Sequence, residues 1–126
     1  MNIELRHGLP YISAEIEYRG QQVKIENVLL DTGSAGCMFD ADRLSAIGLH
    51  YEPFDLVQRI RGVGGAEFVF TKKVDRLALD DLAVSDFEIE IGAMDYGFEI
   101  SGIVGMTFLT AVGAVIDLAK LEIATP

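Results

Sequence analysis

Val28-Leu29-Leu30-Asp31-Thr32-Gly33-Ser34 runs three apolar residues into a carboxylate and then into a glycine-containing turn. Upstream, Ile12, Ala14, Ile16 and Tyr18 alternate with Ser13, Glu15 and Glu17. That is the period of a half-buried strand. Arg19-Gly20-Gln21 reads as a turn, after which Val23 and Ile25 resume the alternation. The change from alternating to continuous apolar residues at Val28 predicts a strand that enters the core with both faces covered. It ends on Asp31.

A buried carboxylate is costly unless paired or protonated. The hydroxyls of Thr32 and Ser34 stand beside Asp31, and Gly33 allows close backbone approach. One carboxylate is a weak catalyst for amide hydrolysis. Two that share a proton divide the work: one is base to a water, the other acid to the carbonyl. The chain carries one such motif, and a two-fold pair of chains would bring two copies of Asp31 together.

Further along, Phe39 to Leu44 reads as a helix start, with Asp40 as cap, Asp42 in the first turn and Phe39 stapled onto Leu44. Val57 to Ile60 and Glu67 to Thr71 read as strands around Gly62-Val63-Gly64-Gly65, a glycine-rich hairpin tip. Val74 to Leu79 reads as another strand, turning at Asp80-Asp81. Phe87, Ile89 and Ile91 alternate with Asp86, Glu88 and Glu90. Thr107 to Val112 fits one or two helical turns, and Ala114 to Asp117 with Leu121 to Ala124 a closing strand pair. The chain is read as one strand-rich domain over 1–126.

The 126 residues are half hydrophobic, enough for a core, and the formal net charge is −10. Twenty acidic against ten basic residues speak against nucleic acid and against a polybasic membrane anchor. No apolar run is long enough to span a membrane. One cysteine, Cys37, excludes an intrachain disulfide, and Met1 to Pro10 lack a signal-peptide core. A cytoplasmic location is the simplest expectation.

The Asp31 motif resembles the apolar-apolar-Asp-Thr-Gly-Ser/Ala signature of aspartic proteases. Ile103-Val104-Gly105 resembles that family's second hallmark, two apolar residues and a glycine passing beneath the Asp loop. Gly62 to Gly65 lie between the two, where the family carries its flap. The likeness runs from about Leu9 to Ile123. One motif in a chain of this length is similar to the retroviral and bacterial retropepsin-like type, which works as a homodimer.

The resemblance implies an all-β, closed acid-protease barrel with one or two short helices and a flap. It implies an aspartic endopeptidase that cleaves polypeptide, with no metal and no cofactor. Asp31 would be the catalytic carboxylate, Thr32 would tie the two loops across the dimer axis, and Gly33 would donate its N–H to the carboxylate. Ser34 would bond the outer carboxylate oxygen. Gly62, Val63, Gly64 and Gly65 would touch the substrate backbone, and Ile103, Val104 and Gly105 would support the loop. Two departures stand out: Met106-Thr107 follows Gly105 where many retroviral enzymes have Arg, and the terminal dimer strands are not recognisable in Met1 to His7 or Thr125-Pro126.

The other chemistry-bearing residues read as structural. Cys37 has no basic neighbour in sequence and suits a small core position. His7 and His50 lack metal-ligand spacing, and Asp40, Asp42, Asp80, Asp81 and Asp95 lack that of a calcium loop. Asp117 either pairs with Lys120 or faces water. The competing functional reading is a protease-fold module that binds peptide or dimerises with little or no turnover.

Overall fold

The computed structural model describes residues 1–62 and 65–126, with the side chains of 60–67 outside the description. Among these residues the elements run β1 (Glu4–Arg6), β2 (Leu9–Tyr18), β3 (Gln21–Leu30), β4 (Met38–Asp40), α1 (Ala41–Ser45), β5 (Val57–Gly62), β6 (Gly65–Leu79), β7 (Leu82–Gly92), β8 (Gly102–Val104), α2 (Met106–Val112), β9 (Val115–Asp117) and β10 (Glu122–Ala124).

The alternation read in 12–18 is the burial pattern of β2: Ile12, Ala14, Ile16 and Tyr18 are buried. Arg19 and Gly20 both take positive φ, so the chain reverses tightly and β3 returns antiparallel, beginning at Gln21. Near its end β3 acquires a second neighbour. Val28, Leu29 and Leu30 pair in parallel with Gly102, Ile103 and Val104, while Met38 and Phe39 of β4 flank β8 on its other side.

Eight strands form one sheet in the order β1-β2-β3-β8-β4-β7-β6-β5, and a further β2–β6 pairing turns it back on itself. The expected closed barrel is met only as this ring of sheet. Its seam is short, three residue pairs from Glu15↔Ala78 to Glu17↔Arg76, and its central strands β4 and β8 have three residues each.

Register gives the central strands two covered faces. Val28, Leu30, Phe39 and Val104 sit in the main core with Ile16 and Leu77. Leu29 and Ile103 pack instead against a second cluster of Met38, Val69, Met94 and Ile100. This is the doubly covered strand expected from the continuous apolar run. Gly102 permits it, because a β-carbon there would stand 2.6 Å from Cδ1 of Phe39. Helix α2 adds Phe108, whose ring meets Phe87 edge-on with centroids 5.8 Å apart.

Three local expectations change. Glu67 to Thr71 and Val74 to Leu79 are parts of one fifteen-residue strand, β6. The polar pair Lys72-Lys73 looks like a break in sequence, but Lys72 is buried and its ammonium is held by Asp55 and Glu52, so the strand continues. Asp40 stands at the N-cap of α1 without a side-chain capping bond. Its carboxylate accepts the Met94 N–H at 3.4 Å. Lys120 meets Asp117 through its backbone N–H, at 3.0 Å. No helix among the described residues is long and apolar enough to cross a membrane.

Candidate functional site

Asp31 lies where β3 leaves the sheet. Its backbone N–H donates to Val104 O at 2.9 Å, extending the β3–β8 ladder by one step. The Ser34 N–H returns to Asp31 O at 3.2 Å and closes the four-residue turn. Inside it the Gly33 N–H donates to Asp31 Oδ1 at 2.9 Å. Asp31 is half-buried and Thr32 and Gly33 are exposed, so the turn presents its carboxylate toward solvent.

Ser34 is placed differently from expectation. Its hydroxyl has one proton, and that proton goes to Gly36 O at 3.1 Å. Ser34 therefore braces the far limb of the loop and does not donate to Asp31.

The loop is fastened from below by the segment that follows β8. The first N–H groups of a helix have no partner within it. Here the Met106 N–H donates to Ser34 O and the Thr107 N–H to Ala35 O, both at 2.8 Å. The start of α2 thus uses its free donors to hold the Asp31 loop. Gly105 passes so close that a β-carbon would stand 2.3 Å from Gly36 O. Val104 and Gly105 meet the loop directly, while Ile103 lies one step back in the sheet, between Leu29 and Met38.

The sequence reading missed Gly36, Met106 and Thr107 as loop anchors. They act through backbone atoms, which leave no residue-type signal. Cys37 is fully buried behind them, and burial pushes its thiol up, against weaker hydrogen bonds from the Gly105 region and Thr107. That is the environment of an inert core thiol.

Of the glycine-rich tip, Gly62 and Gly65 pair with each other at the end of the β5–β6 hairpin, and Val63 and Gly64 lie outside the described residues. The hairpin is anchored at its base. Lys72 Nζ lies 2.8 Å from Asp55 and contacts Glu52, which Arg19 also meets at 3.0 Å. Glu52 and Asp55 lie in the segment leading into β5. Burial pushes Lys72 down, but its hydrogen bonds with Asp55 and Glu52 outweigh this and the net direction is up. The Lys72 hydrogen bond pulls Glu52 below its ordinary value. For Asp55 burial pushes up and is outweighed by Lys72 and the Glu52 N–H. No feature of the sequence marks this triad, because Lys72 lies 20 residues along the chain from Glu52.

The aspartyl protease family matches residues 12–108 of the chain. Among solved structures, a retropepsin-like aspartic protease from Rickettsia conorii has a similar fold, with a TM-score of 0.70 at 17% identity, covering 98% of this chain and 95% of that one. No curated protein sequence matches the chain.

Proposed function

The chain belongs to the aspartyl protease family, and from that membership we propose that it is an aspartic endopeptidase working as a homodimer. One observation carries the reading. Asp31 projects from a turn in which the Gly33 N–H holds Oδ1, above a segment that fastens the loop through Val104 O, the Met106 N–H and the Thr107 N–H. Those contacts hold a carboxylate in a set position, which acid–base catalysis requires.

In the proposed reaction the second copy supplies its own Asp31. The two carboxyls share one proton, a general property of aspartic-protease dyads. The charged member takes a proton from a water between them as that water attacks the peptide carbonyl. The protonated member gives its proton to the carbonyl oxygen. Collapse of the tetrahedral intermediate returns a proton to the departing amine. Thr32, exposed beside Asp31, links the two loops across the axis. No metal or cofactor takes part in this scheme.

The substrate is an extended polypeptide. Alternation along β3 carries Asp31 to the side of Leu29, where the second apolar cluster lies. Peptide side chains would rest on this apolar side, and the hairpin ending in Gly62, Val63, Gly64 and Gly65 would cover the peptide backbone.

The test is a peptidase assay on unfolded protein and peptide mixtures from acidic to neutral pH, with and without pepstatin. Pepstatin-sensitive cleavage that vanishes in Asp31→Asn, with an unchanged circular dichroism spectrum, is the expected result. Full activity in Asp31→Asn, or binding of peptide without cleavage at every pH, overturns it.

A further inference from the structure

Strand β3 is irregular shortly before Asp31. Its ladder with β2 pairs Ile12 with Val28 and then Ala14 with Ile25, so Glu26 and Asn27 stand against Ser13 alone. That is a β-bulge, a device that bends a strand and re-aims a side chain. Asn27 takes a φ of 59° there, in the left-handed region that asparagine tolerates better than most residues. Its amide meets two charged partners. Oδ1 accepts from the Arg6 guanidinium, and Nδ2 donates to Glu99 Oε1 at 2.9 Å. Chemistry fixes that orientation, because a guanidinium only donates and an ionised carboxylate only accepts.

Arg6 is itself held. Its guanidinium lies over the Tyr11 ring at 4.4 Å, and its Nε is 3.4 Å from the Glu4 carboxylate. The Asn27 backbone adds a second tie, accepting the Ser101 N–H at 2.9 Å. One residue of β3 thus grips the chain at two points just ahead of β8. Between β7 and those points the chain arches outward. Asp95, Gly97, Phe98 and Glu99 are exposed, while Met94 and Ile100 are buried with Met38 and Val69 in the second apolar cluster. Leu29 and Ile103 pack on that cluster and are only half-buried, so it is partly open on the side of Asp31.

We propose that Asn27 is a positioning residue: its amide fastens the 95–99 arch, and the arch so held is a wall of the peptide cleft that sets KM. The inference rests on the protease reading above, which lays substrate side chains on this cluster. Residues 95–99 belong to no strand or helix, so no backbone ladder holds them. Apolar contact secures the two ends of the arch, and the Glu99 bond secures its exposed limb. A segment tied at few points opens locally at little cost in free energy, so one hydrogen bond to a charged group weighs heavily there.

The Asp31 loop is held by other bonds, to Val104 O and from the Met106 and Thr107 N–H groups. Loosening the arch therefore leaves the carboxylate in place. Substrate and transition state lose the same wall, which raises KM and spares kcat.

The experiment combines peptide-cleavage kinetics with hydrogen-exchange mass spectrometry on the full chain, at a temperature where circular dichroism shows every variant folded. Asn27→Asp keeps the left-handed backbone and the Arg6 contact but sets a carboxylate against Glu99. It should raise KM about tenfold with kcat within about twofold of the parent, and amide exchange in 95–99 should quicken. Glu99→Gln keeps an acceptor for the Asn27 amide and should raise KM only about twofold. Asn27→Asp combined with Glu99→Gln rebuilds the bond in reverse, the glutamine amide now donating to the new carboxylate. Its KM should return to within about threefold of the parent, a non-additivity that only direct contact produces. A double variant that rescues nothing overturns the clamp, as does exchange in 95–99 that Asn27→Asp leaves unchanged. Exchange that quickens and is restored while KM never moves overturns the wall. A fall in kcat with KM unchanged overturns it too. A parent chain that cleaves no peptide removes the protease reading and the KM claim with it, and the exchange measurements then judge the clamp alone.

Discussion

Gly105 lies so close beneath Ser34 that a β-carbon on the glycine would stand 2.5 Å from the Ser34 carbonyl oxygen. That oxygen already accepts the Met106 N–H. The Asp31 turn and its support are thus packed backbone to backbone, with no flexible side chain between them to yield.

Gly105→Ala is therefore expected to push the Asp31 loop away from β8 and to cost about 2–3 kcal/mol of stability. Cleavage should fall well beyond what the lost folded fraction explains, because the loop must move for the variant to fold. Urea denaturation and activity measured where both proteins are folded check this. An alanine variant with parental stability would contradict the packing described.

The core beneath the loop allows a second expectation. Phe108 is fully buried in α2 and stacks edge-on with Phe87. Phe108→Ala should cost about 3–5 kcal/mol, read as a lower denaturation midpoint. A loss below about 1 kcal/mol would mean that α2 is not fixed to the sheet as described.

The Lys72 triad predicts a pH dependence with a definite sign. Glu52 and Asp55 are held below their ordinary values. Their stabilisation is present above the unfolded-state carboxylate range and is lost as pH falls through the lowered values. Lys72 is held above its ordinary value, so its share is lost only as pH rises through that raised value. Lys72→Met should lower the melting temperature at neutral pH, with the difference from the parent shrinking on acidification. A difference unchanged down to about pH 3 would rule the triad out as a stabilising contact.

Assembly sets the concentration behaviour. In the proposed homodimer each chain supplies half of the active site, so specific activity should fall on dilution as dimer dissociates. Initial rates over a wide enzyme concentration range check this. Rates strictly proportional to enzyme at the lowest measurable concentrations would imply a site complete in one chain, or a dimer too tight to dissociate there, and sedimentation separates the two.

Cys37 should behave as a core residue. It is buried, and its thiol is pushed up by that burial. Alkylation should be slow in the folded protein and fast in denaturant, with cleavage unchanged by thiol reagents under native conditions. Rapid native labelling would show that the loop opens far enough to expose it.

Much of this was legible in the order of residues. Strands of period two announced β2 and β7, because alternate side chains must face core and solvent. The solid run Val28-Leu29-Leu30 announced a strand covered on both faces, and the turn after it placed Asp31 at its end. The Lys72 region misled, since a charged residue inside a strand looks like an interruption until its distant partners are known. The Ser34 hydroxyl misled too, because its choice between Asp31 and Gly36 depends on how the loop curls.

Residue order alone settled that Asp31 ends an apolar strand and that Thr32, Gly33 and a later apolar-apolar-Gly segment accompany it, because periodicity and turn chemistry are local properties. Only the folded chain decided that β8 runs between β3 and β4, that Gly105 lies against the Asp31 loop, and that Lys72 meets Glu52 and Asp55. Those are contacts between segments far apart in sequence. They follow from which surfaces the collapsed sheet can bury together, and no local pattern records that.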